Sequence, residues 1–225
     1  MSLSPLISVV IPAYNAERFL AEAIASVHRQ SHAPLEIIVI DDGSTDRTAE
    51  IARAGRDVWC WRQPNGGIGS ARNAGVAAVQ GDLLAFLDAD DLWTEDKLAR
   101  QLAVLQSRPE IDLVAGQVEQ FFDESYAGPL IAVPEAPQGG FTAGAMLIRK
   151  SSYDRVGGFR TDLAVGEFLD WHSRAVAAGL RMASLDEVVL RRRIHGNNTV
   201  IRQRGQQANY LSVLKSHLDR KRRAA

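Results

Sequence analysis

Residues 81–91 read GDLLAFLDADD, an apolar run that passes directly into a group of carboxylates. The run over residues 83–87 has the length and the unbroken apolar character of a strand that is covered on both faces of a sheet. Asp88, Asp90 and Asp91 follow at its end. The stretch therefore predicts a buried parallel strand that delivers acidic side chains to one edge of a sheet.

Apolar runs of strand length alternate with helical patterns on either side of this stretch. Strands are predicted over residues 6–11, 35–40 and 58–61, and helices over residues 17–30, 46–54, 69–79 and 94–107, the last capped by Thr94. This order predicts an α/β fold with a Rossmann-like, mainly parallel sheet flanked by helices. Ligands bind such sheets beyond the carboxyl ends of the strands, where the polar segments 12–15, 41–46 and 88–91 fall.

The second half of the chain has a less regular pattern. It predicts strands over residues 111–122, 143–148 and 185–194, helices over residues 166–178 and 203–220, and a loop over residues 123–140. Neither a linker nor an internal repeat divides the chain. All 225 residues are therefore predicted to form a single domain.

The composition excludes several classes of protein. Lys and Arg total 26 against 27 Asp and Glu, a balance that argues against a nucleic-acid binder that works by bulk electrostatics. Cys60 is the only cysteine, which rules out an internal disulfide and suits a reducing compartment. No run approaches the ~20 apolar residues of a membrane helix, and the first residues lack the basic start of a signal peptide. We therefore expect a soluble, cytoplasmic protein without an integral membrane segment, with peripheral contact at the inner membrane face left open.

The carboxylates after residue 87 are the strongest chemical signal in the sequence. Hard oxygen ligands suit Mg²⁺ or Mn²⁺, and crowded carboxylates repel one another unless a cation neutralises them. The alternative is a solvated acidic turn that caps the next helix. Two other polar segments share this edge of the predicted sheet, which favours the metal site.

Two further segments have both a functional and a structural interpretation. Asp41 and Asp42 end a strand, where a carboxylate can accept a hydrogen bond from a nucleobase, although an Asx turn with Asp46 as a helix cap explains the pattern too. In residues 65–73, NGGIGSARN, glycines precede the start of a helix and Arg72 adds a positive charge, which fits either an anion site or a plain turn with a solvated Arg72. The dinucleotide-binding glycine pattern is incomplete, and the first strand is followed by Pro-Ala-Tyr-Asn instead.

Four segments in order resemble the motifs of family 2 glycosyltransferases with the GT-A fold. They are SVVIPAYN (8–15), EIIVIDDGSTDRT (36–48), NGGIGSARNAG (65–75) and GDLLAFLDADD (81–91), with weaker likeness at residues 153–159 and 167–174. The resemblance covers about residues 5–200. It implies a nucleotide-sugar-binding half over about residues 5–110, a smaller acceptor-binding half over about residues 111–200, and a C-terminal helix over about residues 201–225.

The resemblance also implies a reaction and the residues that serve it. The reaction is the inverting transfer of a sugar from a nucleotide-diphosphate donor, a UDP-sugar, to an acceptor hydroxyl on a glycan, lipid or peptide, with Mn²⁺ or Mg²⁺ as cofactor. The implied residues are Pro12, Ala13, Tyr14 and Asp41 at the base, Asp42 at the base or ribose, Arg72 at the ribose or phosphate, Asp88 at the ribose or metal, Asp90 as the main metal ligand, and His195 completing the metal shell beside arginines that face the diphosphate.

The base that would deprotonate the acceptor is where the chain departs from the family pattern. Members typically carry adjacent Glu and Asp before a Trp…Arg pattern, but Phe168 stands in the place of that aspartate. Glu167 and Asp170 share a helix face and are both candidates, with Asp170 preferred. They also fit a structural interpretation, as charges at a helix start with Arg174 as an ion-pair partner.

Two other functions stay open at this point. A sugar nucleotidyltransferase uses a similar sheet, but it needs a basic glycine-rich loop after the first strand. A non-catalytic binder of nucleotide sugars or carbohydrate would keep the donor motifs and lack a base. The sequence identifies neither the sugar nor the acceptor, and without membrane segments it favours the addition of single sugars.

Overall fold

The computed structural model of the chain describes residues 4–128, 133–134, 136–139, 142–196, 198, 209 and 212–216. Strands in this part are Ile7–Ala13 (β1), Leu35–Asp41 (β2), Val58–Arg62 (β3), Leu83–Phe86 (β4), Leu92–Trp93 (β5), Leu113–Phe122 (β6), Gln138–Gly139 (β7), Leu147–Arg149 (β8) and Met182–Ile194 (β9). Helices are Leu20–His28 (α1), Thr48–Ala54 (α2), Gly67–Val76 (α3), Lys97–Ser107 (α4), Lys150–Val156 (α5) and Glu167–Ala177 (α6).

The strands form one mixed sheet in the order β3-β2-β1-β4-β8-β6-β9-β5, with β7 paired to β6. The pairs among β1, β2, β3 and β4 are parallel, as the alternation of strands and helices predicts. Beyond β4 the sheet becomes mixed, since β8 is antiparallel to both β4 and β6, while β6 and β9 run parallel. The predicted α/β fold is confirmed, and the first half of the chain supplies its four consecutive parallel strands, β1 to β4.

Helices cover both faces of this sheet. On one face α1 and α4 bury Leu20, Val27 and Leu98 against the strands, and on the other α3, α5 and α6 bury Val76, Tyr153 and Trp171. All seven residues of β1 are buried, because β1 lies between β2 and β4 with helices above and below. Continuous apolar strands fit this environment, whereas alternating strands would bury polar side chains.

Three predicted elements differ from the structure. Residues 143–148 are a 3₁₀ turn over Ala143–Ala145 followed by β8, and α5 follows β8 without having been predicted. Thr94 does not cap α4, which begins at Lys97, because the Thr94 hydroxyl donates to the carbonyl of Val188. Residues 212–216 are helical, and the rest of the predicted terminal helix except Asn209 lies outside the described residues.

The loops after β1 and β2 are tied together by hydrogen bonds. The backbone N–H of Asn15 donates to Ser44 Oγ at 2.9 Å, and the N–H of Ala16 donates to Thr48 Oγ1 at 2.8 Å. The N–H of Thr45 in turn donates to Asn15 Oδ1. One of these bonds satisfies the N–H of Ala16, a buried residue, which would otherwise lack a partner. Together the three bonds fix the edge of the sheet at which the polar segments meet.

None of the helices in the described part of the chain combines the length and the apolar character that crossing a bilayer requires.

Candidate active site

A cleft of about 1110 Å³ opens at the carboxyl ends of the parallel strands. Its walls come from the loop after β1, the glycine turn before α3, the acidic turn after β4, the start of α6 and the end of β9. The three polar segments that the sequence placed at this edge all contribute to it. The expected convergence at the carboxyl ends of the strands is therefore what the structure shows.

The end of β1 supplies one wall of the cleft. Pro12 and Ala13 line it with buried backbone, and the ring of Tyr14 is 50 % exposed above them. An exposed aromatic ring beside buried backbone offers a flat surface for stacking. Three of the four residues predicted for the nucleobase, Pro12, Ala13 and Tyr14, therefore line the cleft.

The two adjacent aspartates at the end of β2 have different roles. Asp42 lines the cleft and accepts hydrogen bonds from the N–H groups of Gly66 and Gly67 at 2.9 and 2.8 Å. Asp41 is fully buried outside the cleft lining, where it accepts from the N–H of Ser44 and faces Arg62 at 3.3 Å. Asp41 therefore holds the turn through these contacts, and its predicted contact with a nucleobase stays a prediction.

Asp46 holds the turn before α2, although the cap position of that helix is Arg47 and not Asp46 as predicted. Its carboxylate accepts hydrogen bonds from the N–H and the hydroxyl of Thr48 at the start of α2. A third bond, from the N–H of Glu17, joins the same carboxylate to the loop after β1.

Arg72 lies at the floor of the cleft between two carboxylates. Its Nη1 donates to Glu167 Oε1 at 2.6 Å and its Nη2 donates to Asp88 Oδ1 at 2.7 Å. The residue is only 2 % exposed. Burial alone would lower the pKa of Arg72, but Asp88 and Glu167 raise it above its ordinary value, so the guanidinium stays charged. Arg72 also lines the cleft, and its predicted contact with ribose or phosphate stays a prediction.

The acidic turn after β4 brings Asp90 and His195 together. Asp90 Oδ2 lies 2.9 Å from His195 Nε2 and accepts a hydrogen bond from Asn198 Nδ2 at 3.2 Å. Two of the three predicted metal ligands are thus neighbours, although they are 105 residues apart in sequence. Asp88, the third, is paired with Arg72, and within the described part of the chain no group of three His, Cys, Asp or Glu residues is arranged to hold a metal ion.

Asp91 also lines the cleft, but it is almost completely buried. It is 5 % exposed and accepts a hydrogen bond from the N–H of Arg193 at 2.8 Å. Burial raises the pKa of Asp91 well above its usual range, and the neighbouring charges of Asp90 and Asp88 raise it further. The charges of these three carboxylates thus oppose one another, an arrangement that a nearby cation would stabilise.

Arg193 belongs to the run Arg191–Arg193, whose arginines the family resemblance placed facing the diphosphate, and it is buried at this site. Its guanidinium donates to the Asp90 carbonyl at 3.0 Å and pairs with Glu22 at 2.5 Å and Asp123 at 3.3 Å. It also lies over the rings of Phe19 and Phe121. These contacts fix the acidic turn against α1 and β6. The run of three arginines was a signal of charge, but the partners lie too far away in sequence to be read from it.

Arg192 is the arginine of this run that faces the cleft. It lines the cavity, is partly exposed, and forms no ion pair with any residue in the described ranges. Adjacent residues of β9 point to opposite sides, which explains why Arg193 is buried while Arg192 is available to a ligand.

The two candidate bases on α6 lie in different environments. Glu167, the first residue of the helix, lines the cleft and is 7 % exposed. Asp170 is completely buried outside the cleft lining, where Arg174 Nε donates to it at 2.8 Å. Arg174 also donates to the carbonyls of Val156 and Gly158, so the pair anchors α6 to the preceding loop. The preference for Asp170 is therefore not supported by the geometry, and the structural interpretation fits Asp170.

Comparisons with known proteins agree with this architecture. The sequence model described as glycosyl transferase family 2 matches residues 8–161. An uncharacterized glycosyltransferase of Nostoc sp. is 38 % identical over 137 residues, which is 56 % of this chain and 42 % of that protein. An uncharacterized glycosyltransferase of Bacillus subtilis, EpsJ, is 39 % identical over 114 residues, 49 % of this chain and 33 % of its own length. The chain thus spans less than half the length of these relatives.

The fold is also that of a solved crystal structure. The crystal structure of residues 1–349 of S. aureus TarS in complex with UDP-GlcNAc superposes with a TM-score of 0.70 over 86 % of this chain and 60 % of that one. The sequence identity is 22 %, so this likeness concerns the fold.

Proposed function

The chain belongs to glycosyl transferase family 2, and we propose that it transfers a sugar from a UDP-sugar to an acceptor hydroxyl, with inversion at the anomeric carbon. The observation that supports this most strongly is the cleft itself. There an exposed aromatic ring, an Asp–His pair and a lining glutamate meet from four separate segments. The donor half covers about residues 5–110, and the acceptor half covers about residues 111–200.

The donor nucleotide would occupy the wall formed by the end of β1. Tyr14 offers a ring for stacking on a base, and stacking of this kind is worth about 1–3 kcal/mol per base. The Asp42 carboxylate beside it is already oriented by Gly66 and Gly67. The TarS structure contains UDP-GlcNAc, which supports a uridine donor here.

The diphosphate would lie toward Asp90, His195 and Arg192. A carboxylate oxygen and an imidazole nitrogen 2.9 Å apart are a suitable pair of donors for Mn²⁺ or Mg²⁺, so the residues present fit the expected cation. Such a cation, when bound, would neutralise charge that develops on the leaving diphosphate. Arg192, which also lines the cleft, would add a second positive charge.

Glu167 is the carboxylate placed to take the proton of the acceptor. It lines the cleft beyond the acidic turn, whereas Asp170 is buried behind it. In a direct displacement, the acceptor oxygen bonds to the anomeric carbon while the bond to the diphosphate oxygen breaks, and the hydroxyl proton passes to Glu167. Attack from the face opposite the leaving group inverts the configuration. A nucleotide-sugar donor and a single cysteine fit a cytoplasmic reaction.

Calorimetric titration of UDP, with and without Mn²⁺, tests the donor assignment. Wild-type protein is expected to bind UDP only when Mn²⁺ is present. Asp90→Ala is expected to bind UDP no better with Mn²⁺ than without it. Asp154→Ala, which removes a carboxylate that is 55 % exposed on α5 outside the cleft, is the matched control and should behave as wild type. Binding of GDP or dTDP in place of UDP would overturn the choice of uracil as the nucleobase. Failure to bind any nucleotide would contradict the transferase function.

A further inference from the structure

We propose that Arg72 is a positioning residue and not a ligand of the donor. It bridges Asp88, on the donor side of the cleft, and Glu167, on the acceptor side, and thereby fixes the position of the Glu167 carboxylate. The proposal rests on the proposed function, since it takes Glu167 as the base. It concerns a residue whose type and position suggested a contact with ribose or phosphate.

The first argument is the geometry of the guanidinium. Its two terminal nitrogens donate to different carboxylates, at 2.6 Å to Glu167 and at 2.7 Å to Asp88. The three residues come from α3, from the turn after β4 and from the start of α6. One planar, rigid group therefore sets the distance between the donor side and the acceptor side of the cleft.

The surroundings of Arg72 prevent its guanidinium from moving toward a ligand. Its guanidinium lies 5.4 Å from the ring centre of Phe159, and its side chain is 3 % exposed. The neighbouring Asn73 holds Phe159 in place, since its side chain accepts from the Phe159 N–H and donates to the Phe159 carbonyl, both at 2.8 Å. Moving the guanidinium to a phosphate would break both ion pairs and leave two carboxylates without a partner, which is costly in a buried site.

Arg192 differs from Arg72 in its exposure and in its ion pairing. Arg192 also lines the cleft, is partly exposed, and forms no ion pair within the described ranges. A cation of this kind is available to an anionic ligand, whereas Arg72 already serves two anions. The two arginines thus have different roles: Arg192 binds the diphosphate, and Arg72 orients the carboxylate of Glu167.

The test separates donor affinity from turnover in four variants, namely Arg72→Met, Arg72→Lys, Arg192→Met and Arg100→Met. Arg100 is the matched control, because it pairs with Glu187 on an exposed surface outside the cleft. For each protein the Kd of UDP is measured by calorimetry in Mn²⁺, and kcat is measured from UDP release at saturating donor.

We expect Arg72→Met to lower kcat by at least about 100-fold, since a misplaced base loses most of its effect, and to leave the Kd of UDP within about threefold. Arg72→Lys should recover kcat at least about tenfold over Arg72→Met, because an ammonium can still reach one of the carboxylates. Arg192→Met should show the opposite pattern, with a Kd raised at least about tenfold. Arg100→Met should change neither quantity. A raised Kd with an unchanged kcat in Arg72→Met would overturn the proposal.

Melting temperatures keep the proposal testable if the enzyme shows no activity. Absence of UDP binding and release in wild-type protein would refute the proposed function, and the bridge would then be judged from stability alone. Arg72→Met and Glu167→Gln should each lower Tm, the former by about 6 °C or more, and the double variant should lower it by less than their sum. Additive shifts would overturn the bridge. If Arg72→Met does not fold, Arg72→Lys takes its place in this comparison.

Discussion

Glu167 and Asp170 lie within one turn of α6, and replacing each by its amide separates the proposed base from a structural carboxylate. Glu167→Gln keeps the size of the side chain and an oxygen that accepts from Arg72, but it cannot take a proton from an acceptor. Asp170→Asn makes the same change in the carboxylate that Arg174 holds at 2.8 Å. The pair of variants is therefore matched in chemistry and differs in position.

The expected effects follow from the surroundings of each carboxylate. General base catalysis contributes about 10²–10⁴-fold, so Glu167→Gln should lower kcat by that factor, while Asp170→Asn should stay within about threefold of wild type. Each variant weakens one hydrogen-bonded pair to a charged group, worth about 1.5–3 kcal/mol. At about 2–4 °C per kcal/mol for a chain of this size, both melting temperatures should fall by about 3–12 °C. Similar losses of stability with unequal losses of kcat isolate the chemical role.

The assay is UDP release at saturating UDP-sugar, measured well below both melting temperatures. The UDP-sugar is the one that a screen of donors identifies with wild-type protein. Loss of kcat in Asp170→Asn with retention in Glu167→Gln would refute the assignment drawn from the cleft geometry. Full activity in both variants would show that neither carboxylate is the base.

Three further predictions concern the base site, a buried lysine and the packing of α3. Tyr14→Ala should raise the Kd of UDP about 5- to 150-fold through the loss of stacking, whereas Trp59→Ala, an exposed aromatic on β3 outside the cleft, should leave it unchanged; calorimetry that shows equal effects would contradict the stacking role. Burial lowers the pKa of Lys97 well below its ordinary 10.5, so between the lowered pKa and 10.5 the unfolded chain binds a proton that the folded protein has released. The Tm of the wild-type protein should therefore rise relative to that of Lys97→Met as the pH increases through this range. A difference in Tm that does not change with pH would refute this prediction. Gly75→Ala would place a Cβ 2.3 Å from Val10 Cγ1 and should lower Tm by about 2–12 °C in thermal melts, while Gly139→Ala, with no atom within 4 Å of the added carbon, should not; an equal Tm in the two variants would argue against the tight contact between α3 and β1.

The parallel half of the fold was readable from the sequence because its strands are buried on both faces. Residues 35–40 and 83–87 are continuous apolar runs, and the helices between strands have clear apolar faces. The helix α5 was not readable, because its sequence KSSYDRV has no helical apolar stripe. Tertiary contacts hold it instead, among them the buried ring of Tyr153 and the hydrogen bond from Ser152 to Asp112.

The candidate site was predicted as a set of segments more accurately than as a set of roles. The segments that contain Asp42, Asp90 and Glu167 meet in one cleft. Which of two neighbouring carboxylates faces that cleft depends on the strand register and on the helix orientation, and local sequence carries neither. The partners of the buried arginines are equally hidden, since Arg72 and Glu167 are 95 residues apart.

A crystal structure of the protein with UDP and Mn²⁺ tests the central claim most directly. The account predicts uracil stacked near Tyr14 beside Asp42, the diphosphate near Arg192, and the cation bound to Asp90 and His195, with Arg72 still between Asp88 and Glu167. UDP bound away from this cleft, or bound in it with its diphosphate on Arg72 and far from Asp90, would contradict the account.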